Sequence, residues 1–307
     1  MERTSWGGLS ICIAISDRQP EKTTCNFCFL VSFASLLRNC CKMLDKITAV
    51  GFQGSVGTGR TRPSRLECER ENGEIVEVVA KCSAGTMERE KNLAIEAIAA
   101  MLAADLGLPV PEPFIVELTP EFVEVLRPWP EVYEQMKASC RFAFGTVHLP
   151  AGFAVWAKGQ PVPPELSQQA AEIFTFDGII INSDRRPGNP NCLFSGQQIA
   201  IIDHELSFAS DQVLFWREPW VEGGFEGYAS ADVHIFAKPN LTQCPENLNR
   251  FVDAWKTLPH SRFDQYFDAI PIEWQQPATF RERLVGYLCD VQANIDEVVR
   301  GSLGVLQ

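Results

Sequence analysis

The sequence predicts an α+β protein with a β-rich first half, a mostly helical second half and a cleft between two lobes. Three observations carry this. Residues 47–116 follow the order strand, Gly-rich turn, strand, helix, strand. Residues 251–300 are helical in pattern, with loops marked by Pro259, Pro271 and Pro277. Between them, residues 120–164 are rich in Pro, Gly and aromatics and have no clean period. At 307 residues the chain can bury a full core. We expect an N-lobe over residues 43–120, a connection over 120–164 and a C-lobe over 165–307.

Each element follows from a local pattern. Residues 66–70 and 75–81, joined by Glu71-Asn72-Gly73, fit a hairpin. Over residues 86–106, Ile95, Ile98, Leu102 and Leu106 recur at spacings of three and four, the mark of a helix with one apolar stripe. Thr86 is the expected N-cap and Gly107 the C′ residue, while Pro109 and Pro111 prevent continuation. A strand over 114–118 follows, and later a helix over 165–181, a loop and a small hairpin.

Residues 1–42 behave differently. They hold five of the eleven cysteines, including Cys25-Asn26-Phe27-Cys28 and Cys40-Cys41, and an apolar run over 27–37. That run is too short to span a bilayer, and Asp17 and Glu21 precede it where a signal peptide begins basic. Adjacent Cys40 and Cys41 are not a zinc-ligand pair. The expectation is a poorly structured extension, with translation starting at Met43; an intact native mass beginning at Met1 would refute the second point. The other six cysteines are widely spaced in core-like segments, which fits reduced thiols in a cytoplasmic protein. A net charge of −12 argues against direct nucleic-acid binding, which needs a basic face. No membrane partner is expected.

The chemistry lies in residues 182–205. Asp184 and Asn189 stand five apart in a Pro/Gly loop; the apolar segments 192–194 and 199–202 then form a hairpin ending at Asp203. Such a hairpin sets Asn189 and Asp203 at its open end. Two oxygen ligands for Mg²⁺, beside a carboxylate that takes a hydroxyl proton, is what phosphoryl transfer requires. Protein kinases use the same interval from Asp to Asn and a metal-binding Asp at a hairpin's end. Alone, the interval is as well explained by turn geometry.

Phosphoryl transfer makes three further demands, and the chain meets them in order. Lys81 ends Val78-Val79-Ala80-Lys81, where an ammonium can reach nucleotide phosphates. Glu96, the sole acidic residue between Glu90 and Asp105, can pair with it. Gly54, Ser55 and Gly57, in a Gly-rich turn that extends to Gly59, offer backbone N–H groups to phosphate. It is not a Walker loop, because no Lys follows the glycines before a helix.

With these residues in hand, the chain resembles the HipA-like kinases, relatives of the persistence-toxin kinase and more distantly of phosphoinositide kinases. The resemblance covers residues 51–300. It rests on Asn182-Ser183-Asp184-Arg185, Asn189-Pro190-Asn191 and Ile202-Asp203-His204-Glu205, and on Glu96 leading to Leu106-Gly107-Leu108-Pro109-Val110-Pro111. Phe144-Gly145-Thr146 and Phe176-Asp177-Gly178 are further landmarks. The resemblance implies a two-lobed protein-kinase-like fold and ATP- and Mg²⁺-dependent phosphorylation of a serine or threonine hydroxyl. It implies Asp184 as catalytic base, Asn189 and Asp203 as Mg²⁺ ligands, Lys81 on the phosphates and Glu96 as its partner.

The chain departs from the pattern twice. Many relatives have His where Arg186 stands, and Asp203-His204-Glu205 replaces the Asp-Phe-Gly of ordinary kinases. Alternatives are a nucleotide-binding pseudokinase or interaction module, a small-molecule kinase, and a metal hydrolase using Asp203, His204 and Glu205. Strand alternation disfavours the last, since neighbours point to opposite faces. The toxin branch acts with a DNA-binding antitoxin, but the sequence shows no docking surface for one. The acceptor is therefore left as a protein or a small molecule.

Overall fold

Alternating burial builds the first strands. β1 (Asp45–Ser55) turns Ile47 and Ala49 inward, and β2 (Ser64–Glu69) turns Leu66 and Cys68 inward. β3 (Ile75–Lys81) pairs antiparallel with β2 through the predicted hairpin, whose Gly73 takes φ +82°. The computed structural model describes residues 44–57, 61–210 and 214–307. The expectations for residues 1–42, and Gly59, lie outside the described residues.

β4 (Pro113–Glu117) and β5 (Phe142–Val147) complete a closed barrel of order β1-β2-β3-β5-β4, sealed by parallel pairing of β1 with β4. β5 comes from the stretch expected to connect two lobes. It shows no sequence alternation because Phe142, Ala143, Phe144, Gly145 and Val147 are all buried. Two short helices, α2 (Pro120–Val125) and α3 (Pro130–Lys137), precede it. Gly145 sits where β4 and β5 press together: a Cβ there would stand 2.6 Å from Val116 Cγ2. Gly145→Ala is expected to cost about 1–3 kcal/mol, seen as a lower urea midpoint at unchanged slope. An unchanged midpoint would mean that the barrel yields freely at this point.

α1 (Glu90–Asp105) begins four residues later than the sequence predicts. Thr86 does not cap it. Its hydroxyl donates to the Ser83 and Arg89 carbonyls (3.0 and 2.9 Å) and closes a short turn over Ser83–Gly85. Arg89, at φ +52°, takes the N-cap position. Nor is there a single apolar stripe: every residue from Asn92 to Ala103 is buried. The helix is packed against β4 and β5 and also against α6 (His260–Ala269) and the turn Ile272–Trp274, so no face is left for polar residues. Its end is as predicted, with Gly107 at φ +67° after the last turn.

The remainder is helical, with one small sheet. α4 (Ser167–Ile179) leads into the loop and hairpin of β7 (Cys192–Ser195) and β8 (Gln198–Ile201), to which β6 (Ala154–Val155) adds an edge. α5 (Asn249–Thr257), α6, α7 (Ala278–Ala293) and α8 (Ile295–Leu306) follow. Pro259 and Pro277 stand immediately before α6 and α7, where a missing N–H costs nothing. Trp255 and Trp274 are core, whereas Trp216 and Trp220 are only partly buried, flanking Tyr287. Asp105 at the end of α1 accepts from Arg262 and Tyr266 (2.6 and 2.7 Å), which ties α1 to the C-terminal helices. All six described cysteines are free. Among the described residues, no helix is long and apolar enough to cross a membrane.

Candidate active site

The last residue of β3 places a charge on the outer face of the barrel. Val78 and Ala80 turn into the barrel, so Lys81 turns outward to α1, where it is largely buried. Its Nζ donates to Glu96 Oε2 (3.1 Å), Asp203 Oδ1 (2.5 Å) and Glu205 Oε2 (3.2 Å). One ammonium thus joins β3, α1 and the segment after β8. Burial alone would lower the lysine pKa, but Glu96, Asp203 and Glu205 hold it well above the ordinary range. Burial likewise opposes ionisation of Glu96, yet Lys81 and His204 bring its pKa down to about 2. Glu205 goes the other way: burial pushes it up, opposed by Lys81 and reinforced by Asp203 and Glu96.

The loop after α4 is shaped by a tight turn. Backbone bonds join Arg186 and Asn189 in both directions, with Pro187 and Gly188 between them. This folds Asn189 back on Asp184, whose Oδ2 accepts from Asn189 Nδ2 (2.7 Å) and more distantly from Asn191 Nδ2 (3.4 Å). Asn182 Oδ1 accepts from the Asp184 amide (3.1 Å) and fixes the turn from the other side. Arg186 lies 3.4 Å from Asp184 Oδ1, so the residue that departs from the family pattern touches the carboxylate directly.

Arg185 holds loop and hairpin together. Fully buried, it donates to Asp177 on α4 (2.6 and 3.2 Å) and to the carbonyls of Asn191 and Ile202. It thereby fastens the chain just after Asn189 to the chain just before Asp203. Burial works against the Asp177 carboxylate, but Arg185 and His234 hold its pKa well below the usual range. His234 Nε2 lies 3.0 Å from Asp177, and its Nδ1 accepts from the Phe236 amide; it is a satisfied packing histidine.

Of the residues singled out from sequence, Lys81, Glu96 and Asp203 meet at one point, and Asp184 and Asn189 meet at another. Ser55 ends β1 in the same strand row as Ala80, by way of Ser64, and Gly54 in the row of Val79, by way of Arg65, so both, with Gly57 just beyond, lie near the Lys81 end of β3. Gly54 and Gly57 take φ +136° and +70°, conformations that need glycine. Arg185, Asp177 and Asn191 stand in the motifs that carry the resemblance but were given no role from sequence, and Glu205 figured only in the disfavoured metal-hydrolase alternative. No periodic signal marks Glu205: Asp203 takes φ +62° and Glu205 lies in the turn that follows, and this bend brings both carboxylates to Lys81.

The donors near Lys81 are hard oxygens: one ligand oxygen from each of Glu96, Asp203 and Glu205 lies within 4.8 Å of the others. Asn189 uses its amide nitrogen on Asp184 and keeps its carbonyl oxygen. Such a set fits Mg²⁺ far better than a soft metal. No curated protein matches the sequence. A family model described as HipA-like kinase matches residues 51–287, from the Gly-rich turn into α7, and so spans every residue of the site. The chain belongs to the HipA-like kinase family, a membership that supports a kinase-like fold and suggests a kinase activity.

Proposed function

We propose that the protein is an ATP- and Mg²⁺-dependent phosphotransferase with a two-lobed layout, acting on a serine or threonine hydroxyl of a protein. The barrel half forms one lobe and the helical half the other. One observation carries the reading: Lys81 is bonded at once to Glu96 of α1 and to Asp203 at the end of the β7–β8 hairpin. Those three elements have no reason to converge on a buried lysine unless its charge is needed there.

Roles follow from position. Lys81, braced by Glu96, binds the α and β phosphates, with the N–H groups of Gly54, Ser55 and Gly57 beside it. Asn189 and Asp203 would hold Mg²⁺, which when bound would supply charge neutralisation for the transferred phosphoryl group. Asp184, held by Asn189 and Asn191, orients the acceptor hydroxyl and receives its proton. The test is incubation with Mg²⁺ and γ-labelled ATP, wild type beside Asp184→Ala. Labelled protein with wild type, falling by about 10³-fold in the variant, is the expected result. Identical traces would instead favour a pseudokinase or interaction module, and label confined to small molecules would identify a small-molecule kinase.

A further inference from the structure

His204 lies between the two halves of this site. It is 1 % exposed. Its backbone N–H donates to Glu96 Oε2 (2.8 Å), and its Nδ1 stands 3.6 Å from Glu96 Oε1. On its far side, Nε2 is 3.1 Å from Arg185 Nη2. A guanidinium has no acceptor, so Nε2 must accept and the ring N–H is on Nδ1, facing Glu96. Phe176 meets the ring edge-on, which fixes its plane. An unbroken buried line therefore runs Lys81–Glu96–His204–Arg185–Asp177. His204 follows Asp203 directly, and Arg185 follows Asp184.

We propose that His204 is a positioning residue that couples the Lys81–Glu96 pair to the loop carrying Asp184, so that grip on the nucleotide and alignment of the acceptor are set together. It touches no reacting atom. The proposal rests on the phosphotransferase reading for what is coupled. Imidazole suits the place because it presents an acceptor to the cation and a donor to the anion from opposite edges of one rigid ring. Phenylalanine would keep the packing and the backbone bond to Glu96, and lose the ring's bond to Arg185 and its polar contact with Glu96 Oε1. Glutamine can supply an oxygen to Arg185 and an N–H to Glu96.

The test compares His204→Phe, His204→Gln and Glu96→Gln by hydrogen exchange over residues 182–191, with MgADP binding measured by calorimetry. In His204→Phe, the Asn182, Arg186 and Asn189 amides should exchange about 10- to 100-fold faster and MgADP should bind weaker by a similar factor. His204→Gln should return both to within about threefold of wild type. Glu96→Gln should loosen the same amides in the wild-type background and add nothing in His204→Phe. A residue that merely packs would lower stability without making the loop answer to Glu96. Equal loosening by Glu96→Gln in both backgrounds, or none in either, would overturn the coupling. Should His204→Phe not fold, the loop's response to Glu96→Gln in wild type decides alone: acceleration supports the coupling and its absence overturns it. Failure of the phosphotransferase reading is seen separately, as absent ATP turnover by wild type while the exchange coupling persists.

Discussion

Asp203→Ala is expected to abolish phosphoryl transfer, by roughly 10³-fold or more, while leaving the protein folded. Asp203 is the most exposed of the three carboxylates that touch Lys81. Removing it deletes a proposed Mg²⁺ ligand, but Lys81 keeps Glu96 and Glu205. Stability should fall only modestly, by about 1 kcal/mol, because Asp203 sits at φ +62°, which Ala tolerates less well than Asp. Turnover of labelled ATP and a urea midpoint on the same sample check both halves. A variant within tenfold of wild-type turnover would remove Asp203 from the centre.

Arg185→Leu is expected to cost the most stability, about 3–5 kcal/mol. The Asp177 carboxylate, with no exposed surface, would keep only Asn182 and His234. The Ile202 carbonyl would lose the Arg185 donor too, and the Asn191 carbonyl would be left with the Ile202 amide alone. Adding Asp177→Leu should recover much of the loss, since a buried pair exchanged for apolar groups is often neutral while half a pair is not. Failure of that rescue would show that the carbonyl bonds, rather than the ion pair, matter. Acid acts on the same network. Glu96 has its folded pKa lowered, so its contribution is complete above the ordinary value of 4.5 and is lost as pH falls toward about 2. Asp177 is depressed further, so its contribution fades in the same direction and persists to lower pH.

Much of this was legible in the residues. The β2–β3 hairpin, the end of α1 at Gly107 and the hairpin before Asp203 follow from turn residues and alternation. Lys81 and Glu96 could be picked out because a strand end and a lone acid on an alanine-rich helix are simple patterns, and they bond as expected. What escaped notice was buried on all sides. β5 carries no alternation, and α1 shows a stripe in sequence that burial erases, because period informs only where one face meets water. Arg185 and Asp177 escaped for a related reason. A charged residue normally marks a surface, and nothing local shows that two of them, eight apart, neutralise one another inside.

The order in which the barrel's strands occur along the chain also bears on how the molecule is made. All five strands, and Glu96 with them, lie before residue 148, whereas Asp203 and Glu205 are more than fifty residues further on. A ribosome-bound chain can therefore close the barrel and satisfy Lys81 with an acid only fifteen positions away before the remaining partners have been synthesised. Synthesis from the N-terminus thus gives Lys81 its first partner before Asp203 and Glu205 exist, and the helices that cover α1 come last.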